Sequence, residues 1–287
     1  MATDGPGPVP PLVSSSWVAE HADRPDVLVL EVDREAGDYH EGHVPGAFGL
    51  DRLDDLHHTV RKSFASSTHI AALLGRFGAT PSTHVVLLGD SDNVFAASTY
   101  WLLRHFGHHR LSLMDGGKDV WLVEGRPTTT DVGSRAATDY AVPVGDPSVR
   151  VGRDDILDRF VGGPDGTLLL DCRSEGEFTG RRAHGVDLPV EHHRVPGRIP
   201  GSVNVAVEDV LDPVMRRFRP VEELRAAFAG LGVAPDTDVA LYCRMAHRSS
   251  LLWFVLRDLL EHPKARNYDG GWAEYGSLVD GPVDRGP

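Results

Sequence analysis

The chain repeats one order of segments twice, and this duplication constrains the fold more than any other feature of the sequence. Adding 154 to the residue number takes residues 79–88 to residues 233–242, and takes the Asp-Gly-Gly at 115–117 to the one at 269–271. Two stretches that share their segments in the same order indicate two domains of one fold. A chain of 287 residues is long enough for each domain to bury its own core.

The spacing between the copies changes towards their N-terminal ends. The Pro-Gly turn at residues 43–47 corresponds to residues 198–202, but residues 29–33 correspond to residues 169–173, which lie only 140 positions further on. This change places an insertion in the second copy, around residues 182–197.

An aperiodic segment separates the two copies. Residues 124–148 are rich in Thr, Gly, Pro and Asp, a composition that is typical of a connecting segment. We therefore predict a first domain at residues 1–130, a linker at 131–147 and a second domain at 148–287.

Short apolar runs alternate with helical patterns inside each copy. Apolar residues bounded by polar turns predict buried strands of parallel sheets; these are residues 27–32, 85–88, 111–114, 167–172 and 239–242. Apolar residues at helical spacing stop at Gly78 in the first copy, and in the second they begin after Pro220 and stop at Gly232. Strands that alternate with helices predict an α/β fold, with two domains that each contain a mostly parallel sheet covered by helices on both faces.

The composition narrows the partners and the compartment. The net charge of −13 disfavours nucleic acid and anionic membrane surfaces as partners, and no stretch is long and apolar enough to predict a membrane span. The N-terminal residues show no signal peptide pattern. Two cysteines in 287 residues suggest no disulfide framework, so we expect a cytoplasmic protein.

Cys243 lies where a predicted strand ends and a predicted helix begins. The loop from Cys243 to Arg248 also contains Arg244 and His247, and an apolar helical run follows it. Backbone N–H groups at the start of a helix and nearby cations favour the thiolate form of a cysteine and make it a nucleophile. We therefore predict cysteine chemistry on a substrate that carries sulfur or an oxyanion. The corresponding position in the first copy is Gly89, followed by Asp90, so that copy has no nucleophile.

The chain resembles the tandem-domain rhodaneses, the thiosulfate/3-mercaptopyruvate sulfurtransferase family. The resemblance rests on the two Pro-Gly turns at residues 43–47 and 199–202, on Asp171-x-Arg173, on the Cys243 loop and on the Asp-Gly-Gly-Trp at 269–272. It implies a catalytic second domain in which Cys243 takes the outer sulfur of thiosulfate as a persulfide and then passes it to cyanide or to a thiol. The partners would then be a small sulfur donor and an acceptor, which could be a small thiol or a thiol protein, and no cofactor would be needed.

The predicted site combines the loop with one residue outside it. Cys243 is the predicted nucleophile. The predicted substrate-binding residues are Arg244, Met245, Ala246, His247, Arg248, Ser249 and Arg173. Arg173 could instead pair with Asp171 and hold the loop, and Arg248 could instead be an ion-pair partner within the protein.

Three other functions stay open at this point. A 3-mercaptopyruvate sulfurtransferase usually has glycine straight after the cysteine, where this chain has Arg244. A cysteine phosphatase or arsenate reductase would use a loop one residue longer than the Cys-x4-Arg found here, because phosphate is larger than a sulfur atom. A non-catalytic sulfur carrier or binding module would use the same fold to dock a partner.

Glu177 stands where the eukaryotic thiosulfate enzymes have an arginine that binds the donor.

The remaining reactive side chains have ordinary interpretations. Cys172 lies inside an apolar strand, and we expect it to belong to the core. The histidines show no zinc-ligand spacing, so we predict surface positions and no metal site for His57, His58, His108, His109, His184, His192 and His193.

Overall fold

The structure, a computed structural model, describes residues 8–58, 63–141, 143–182 and 195–287. It contains two compact units. The first runs as far as Asp146 and includes the short segment Val214–Arg217, and the second contains Pro147–Pro213 and Phe218–Pro287.

The first unit is built on a parallel sheet in which the strands follow the order β1-β5-β4-β2-β3. Its strands are β1 (Leu12–Val13), β2 (Val27–Glu31), β3 (Ala47–Gly49), β4 (His84–Leu88) and β5 (Leu111–Met114). Its helices are α1 (Ser15–His21), α2 (Ala36–Glu41), α3 (Ser67–Arg76), α4 (Val94–His105) and α5 (Gly117–Val123).

The second unit has a parallel sheet in the order β7-β6-β8-β9. Its strands are β6 (Thr167–Asp171), β7 (Val203–Asn204), β8 (Asp238–Tyr242) and β9 (Ala265–Asn267). Its helices are α6 (Arg153–Arg159), α7 (Glu175–Phe178), α8 (Val221–Gly230), α9 (His247–Phe254) and α10 (Gly271–Tyr275), and a π-helical segment, Val255–Leu259, follows α9.

The two sheets share one strand order, as the duplicated sequence predicts. The neighbours β5, β4, β2 and β3 of the first sheet correspond in sequence and in position to β9, β8, β6 and β7 of the second. Every residue of β2, β4 and β5 is buried, which explains why these strands are mostly apolar rather than alternating. The predicted α/β class, with a mostly parallel sheet in each domain, is confirmed.

The boundaries of α3 and α8 follow from local chemistry. The Ser66 hydroxyl accepts a hydrogen bond from the His69 N–H at 3.2 Å and caps α3, and the rigid backbone of Pro220 precedes α8. Gly78 and Gly232 adopt left-handed angles, with φ of +74° and +96°, just beyond the ends of these helices. Such a residue reverses the chain and ends a helix with little strain only when it is glycine.

The two Pro-Gly turns lead into β3 and β7. Gly46 and Gly201 have φ of +83° and +81°, in the left-handed region. A Cβ atom on Gly201 would lie only 2.4 Å from the Gly163 nitrogen, so no larger residue fits there. The turn interpretation of both segments is confirmed.

Candidate active site

Cys243 is the residue directly after β8, at the carboxyl end of a central strand. Its residue surface is only 1% exposed. Ala246 takes a left-handed conformation with φ of +64°, and α9 begins at the next residue, His247. The Ala246 carbonyl then accepts hydrogen bonds from the Ser250 N–H at 3.0 Å and from the Ser250 hydroxyl at 2.6 Å. The loop of residues 243–246 is therefore a sharp turn between a buried strand and the first turn of a helix.

The start of α10 fixes the orientation of the loop backbone. The Trp272 N–H donates to the Cys243 carbonyl at 2.8 Å, and the Ala273 N–H donates to the Arg244 carbonyl at 3.0 Å. In a trans peptide the C=O and the following N–H point in opposite directions. The amides of Arg244 and Met245 therefore point away from α10, as they must in a cradle for an anion.

Gly271 permits this close contact. Its φ is +52°, and a Cβ atom at this position would lie 2.6 Å from the Cys243 carbonyl oxygen and 2.8 Å from the Arg244 carbonyl oxygen. Both distances are shorter than real Cβ contacts allow. The Asp-Gly-Gly run is therefore the support on which the cysteine loop rests, in addition to being a turn.

Arg248 forms a two-pronged ion pair with Glu177. Its Nη1 donates to Glu177 Oε2 at 2.7 Å and its Nη2 donates to Oε1 at 3.0 Å. The Glu177 side chain is 3% exposed and that of Arg248 is 29% exposed. Burial by itself would raise the pKa of Glu177, but the hydrogen bonds and charge of Arg248, with the Ser174 hydroxyl, outweigh it and lower this pKa to about 2. Glu177 is therefore ionised at neutral pH.

Glu177 is held in place by its own helix. Its Oε2 accepts hydrogen bonds from the Ser174 N–H at 3.1 Å and from the Ser174 hydroxyl at 2.8 Å. The bond from the Ser174 N–H to the side chain of Glu177, three residues further on, belongs to a capping box at the start of α7. The sequence did not predict the pairing of Glu177 with Arg248. The spacing Ser174-x-x-Glu177 indicates a capping box, and therefore the start of a helix, but it does not identify Arg248 as a partner.

A buried polar cluster lies beside β8. The Arg173 guanidinium is 1% exposed and donates to both oxygens of Asp171, at 2.6 to 3.2 Å, and to the Gly197 carbonyl at 2.7 Å. The Tyr242 hydroxyl donates to Asp171 at 2.6 Å, and the Trp272 ring lies 4.5 Å from the Arg173 guanidinium carbon. Arg173 thus makes the alternative contact that the sequence allowed, the ion pair with Asp171. Through Asp171, Arg173 is connected to Tyr242, the residue before Cys243, and through its contact with the Trp272 ring it is connected to α10.

The rest of the predicted loop residues surround Cys243 in sequence but differ in exposure. Ala246 and Ser249 are buried, whereas Arg244, Met245, His247 and Arg248 are half-buried. Burial, and then the charge of Arg248, lowers the pKa of Arg244, while Glu177 and Cys243 raise it. The Ser249 hydroxyl is enclosed and makes no hydrogen bond within the described part of the chain.

Cys172 lies beside Cys243 and directly follows β6. The pairing of Asp171 with Tyr242 makes the two cysteines the next residues of adjacent parallel strands, and the Cys172 N–H donates to the Tyr242 carbonyl at 2.8 Å. Both cysteines are thiols rather than a disulfide. Cys172 is completely buried, and burial, followed by the charge of Cys243, raises its pKa well above the usual value. The prediction that Cys172 belongs to the core is confirmed.

The corresponding loop of the first unit has the same backbone hydrogen bond from its following helix but has no cysteine. The Lys118 N–H donates to the Gly89 carbonyl at 2.8 Å, which matches the bond between Trp272 and Cys243. A Cβ atom on Gly89 would lie 2.1 Å from the Val32 carbonyl oxygen, so this position has no room for a cysteine. Burial raises the pKa of Asp90, and the neighbouring Asp33 adds to this effect although the Arg34 N–H opposes it. An acidic loop of this kind repels an anion.

A buried ion cluster stands behind that loop. The Lys118 ammonium lies 2.7 Å from Glu31 and 2.6 Å from Asp33. Burial, and then the charge of Asp33, raises the pKa of Glu31 to about 7. Glu31, Asp33 and Lys118 occupy the positions that Asp171, Arg173 and Trp272 occupy in the second unit. The cation of the cluster therefore comes from α5 in one unit and from the end of β6 in the other.

One of the predicted surface histidines is buried, which corrects that expectation. His108 is 2% exposed; its Nε2 lies 3.0 Å from the Thr83 carbonyl and its Nδ1 lies 2.7 Å from the Tyr140 hydroxyl. His262, at the same position of the second copy, makes the same contact with the Thr237 carbonyl at 3.0 Å. These histidines hold the turn before β4 and β8, and burial lowers the pKa of His108 to about 4.

The other histidine predictions have different outcomes. His58 and His109 are exposed and His57 is half-buried, whereas the predictions for His184, His192 and His193 lie outside the described residues. Within the ranges that the structure describes, no three His, Cys, Asp or Glu side chains are grouped so that they could hold a metal ion. No helix in those ranges is long and apolar enough to cross a membrane.

Known proteins are similar to this chain over nearly its whole length. The family model described as a rhodanese-like domain matches residues 14–124 and again residues 155–278. The sulfur carrier protein TtuD of Thermus thermophilus is 42% identical over 276 residues, which are 96% of this chain and 96% of that protein. A Mycobacterium bovis protein with the provisional name thiosulfate sulfurtransferase 1 is 37% identical over 280 residues, which are 96% of this chain and 98% of that protein.

Solved structures share the fold. The wild-type structure of EanB superposes with a TM-score of 0.82 at 23% identity, and the match covers 96% of this chain and 69% of that one. At this level of identity the similarity concerns the fold.

Proposed function

The chain belongs to the family of proteins with rhodanese-like domains, and we propose from this that it is a sulfurtransferase that moves the outer sulfur of thiosulfate to a thiophilic acceptor through a persulfide on Cys243. The observation that carries the proposal is the geometry of the Cys243 loop. A thiol at the end of a buried strand is followed by amides that the bonds from Trp272 and Ala273 turn away from α10. This is the arrangement that a sulfur anion requires.

The proposed reaction has two balanced steps. In the first, the Cys243 thiolate attacks the outer sulfur of thiosulfate, a new S–S bond forms, and sulfite leaves with the electron pair of the old one. In the second, cyanide or a thiolate attacks the outer sulfur of the persulfide, and Cys243 leaves as a thiolate. Neither step needs an external oxidant, reductant or cofactor.

The surroundings of Cys243 suit both steps. The amides of Arg244 and Met245 and the first turn of α9 provide N–H donors for the charge on sulfur, since the first N–H groups of a helix have no acceptor within it. Arg244 and Arg248 supply positive charge close to the loop, and the enclosed Ser249 hydroxyl is a further donor. Burial of Cys243 shields a charged persulfide from water. We place this chemistry in the cytoplasm, because both cysteines are thiols.

A sulfur carrier is the second candidate, and the 42% identity with the carrier protein TtuD favours it. A carrier would load Cys243 in the same first step but would pass the sulfur to a partner protein rather than to a small acceptor. The two candidates therefore differ in turnover. A carrier forms one persulfide per chain and then stops until its partner is added.

Two other enzyme functions receive less support. The loop has four residues between Cys243 and Arg248, one fewer than the loop of a cysteine phosphatase, and Arg248 is bound to Glu177 at both of its terminal nitrogens. A phosphatase would need that guanidinium for the oxygens of phosphate. Arg244 stands where mercaptopyruvate enzymes usually have glycine, which favours thiosulfate over mercaptopyruvate as the donor.

The proposal is tested by replacing the sulfur nucleophile. Wild type and Cys243→Ser are compared for thiocyanate formation from thiosulfate and cyanide, for aryl phosphate hydrolysis and for persulfide by intact-mass spectrometry. We expect thiocyanate formation and a gain of one sulfur in wild type alone, with the same circular dichroism for both proteins. Thiocyanate formation by Cys243→Ser at the wild-type rate would overturn the proposal. A persulfide without turnover would support the carrier, and hydrolysis alone would support a phosphatase.

A further inference from the structure

We propose that Glu177 lowers the positive charge of the Cys243 loop and so weakens the binding of a doubly charged sulfur donor more than that of a singly charged one. The inference rests on the proposed function and adds a residue that affects how strongly the loop binds donors of different charge. It gives Glu177 a role in specificity through Arg248, as a positioning residue that need not touch the donor.

The ion pair between Glu177 and Arg248 fixes the orientation of the arginine. Glu177 accepts from both terminal nitrogens of Arg248, at 2.7 and 3.0 Å. A bidentate pair of this kind fixes the plane of the guanidinium as well as its position. The two N–H groups that face Glu177 are therefore committed to a buried carboxylate, and breaking either bond is costly, so a donor meets only the other N–H groups of Arg248.

Glu177 changes the sum of the formal charges around the Cys243 loop. The arginines, the carboxylates and the nucleophile in and behind the loop are Arg244, Arg248, Arg173, Glu177, Asp171 and Cys243. With Cys243 as a thiolate their charges sum to zero, because three arginines face two carboxylates and one thiolate. A loop without the Glu177 charge would carry one net positive charge. Among these groups, Glu177 therefore removes the one net positive charge that a thiosulfate dianion would otherwise meet.

The charge of Glu177 also acts on Arg244, the other arginine of the loop. Burial and the charge of Arg248 lower the pKa of Arg244, and the charges of Glu177 and Cys243 oppose this shift. The Glu177 side chain is nearly enclosed, so its charge is screened less by salt than a surface carboxylate would be. A donor in the loop therefore experiences the charge of Glu177 together with those of both arginines. Coulomb energy is proportional to the charge of the donor, so Glu177 weakens the binding of a dianion twice as strongly, on a free-energy scale, as that of a monoanion.

Two donors of similar shape separate charge from size. Thiosulfate carries two negative charges. Methanethiosulfonate, in which a methyl group replaces one oxygen of thiosulfate, carries one and presents the same outer sulfur. Glu177→Gln removes the charge and keeps the length of the side chain. Glu175→Gln is the matched control, because Glu175 lies on the same helix and its ion pair with Arg181 is exposed.

The decisive measurement is calorimetric titration of both anions into proteins with Cys243→Ser, which cannot react. Glu177→Gln should tighten thiosulfate binding by about tenfold and methanethiosulfonate binding by about threefold. Glu175→Gln should change neither by more than about twofold, as expected for an exposed charge. Glu177→Asp keeps the charge and should leave the ratio of the two dissociation constants near that of the parent. This second variant also serves if the glutamine protein does not fold.

The outcomes separate this inference from the proposed function. An equal change for both anions, a change with Glu175→Gln of the same size, or no detectable binding by any variant would overturn the role of Glu177. Wild-type protein is assayed in parallel for a persulfide on Cys243 with each donor. If neither donor modifies Cys243, the proposed function fails, while the dissociation constants still decide the role of Glu177.

Discussion

Replacing Gly271 with alanine should damage sulfur transfer much more than it damages the fold. Gly271 has φ of +52°, and an added Cβ would lie 2.6 Å from the Cys243 carbonyl and 2.8 Å from the Arg244 carbonyl. Those two carbonyls accept the bonds from Trp272 and Ala273 that orient the loop. The methyl group must therefore push the backbone of Cys243 and Arg244 away from α10.

The size of the effect can be estimated from the structure. A left-handed conformation costs an L-residue about 1–2 kcal/mol relative to glycine. Weakening two backbone hydrogen bonds adds about 0.5–1.5 kcal/mol for each. We expect the free energy of unfolding of the second unit to fall by about 2–5 kcal/mol, and its Tm to fall by roughly 10 °C. A displacement of the nucleophile by about 1 Å should slow sulfur transfer by about a hundredfold.

The first unit provides the matched control for this substitution. Gly117 occupies the same position, with φ of +59°, and an added Cβ would lie 2.3 Å from the Gly89 carbonyl. Gly117→Ala should therefore cost at least as much stability but leave sulfur transfer near the wild-type rate. Calorimetry gives the stability of both variants, and the rate of persulfide formation is measured well below the Tm. If Gly271→Ala transfers sulfur as fast as Gly117→Ala, the loop does not depend on this support and the reasoning is refuted.

Two further substitutions test buried groups. Cys172→Ala should leave the rate of sulfur transfer within about twofold of wild type and lower the free energy of unfolding by about 1–2 kcal/mol, because Cys172 acts as a core residue; loss of the second step would instead identify a resolving thiol. The folded-state pKa of Glu31, about 7, lies above its ordinary value of 4.5, so its contribution to stability is complete below about pH 4.5 and is lost as the pH rises through about 7. Urea unfolding should show a more stable first unit at about pH 5.5 than at about pH 8, and Glu31→Gln should reduce that difference; an unchanged difference would exclude Glu31 as its source.

The long apolar strands and the duplication could be read from the sequence. Predicted strands at 27–32, 85–88 and 239–242 each differ by one residue from β2, β4 and β8, because a strand that is buried on both faces is apolar along most of its length. The short strand β9, Ala265–Asn267, has no such pattern, since Arg266 lies at its centre. It is a strand because β8 provides a partner for its backbone, and that partner cannot be read from a local pattern.

The site was predictable where it is continuous in sequence. The position of Cys243 between a strand and a helix follows from residues that adjoin it. The pair of Glu177 with Arg248 joins residues 71 positions apart, and nothing in the local sequence of either residue names the other. An ion-pair role for Arg248 could be foreseen, but its partner could not. His108 was misjudged for a similar reason, because its acceptor, the Thr83 carbonyl, belongs to a different strand connection.

The exchanged position of the buried cation has a consequence for how the two halves of the gene can evolve. Crossing over between them, so that the stretch around Trp272 replaced the stretch around Lys118, would leave Glu31 and Asp33 enclosed together without a counterion. The reverse exchange would place a lysine against Arg173 with Asp171 as the one carboxylate between them. Either hybrid would bury uncompensated charge, which is among the most destabilising changes a protein can suffer. The carboxylates and the cation of each half can therefore be exchanged only together, and a crossover that falls between them would be strongly destabilising.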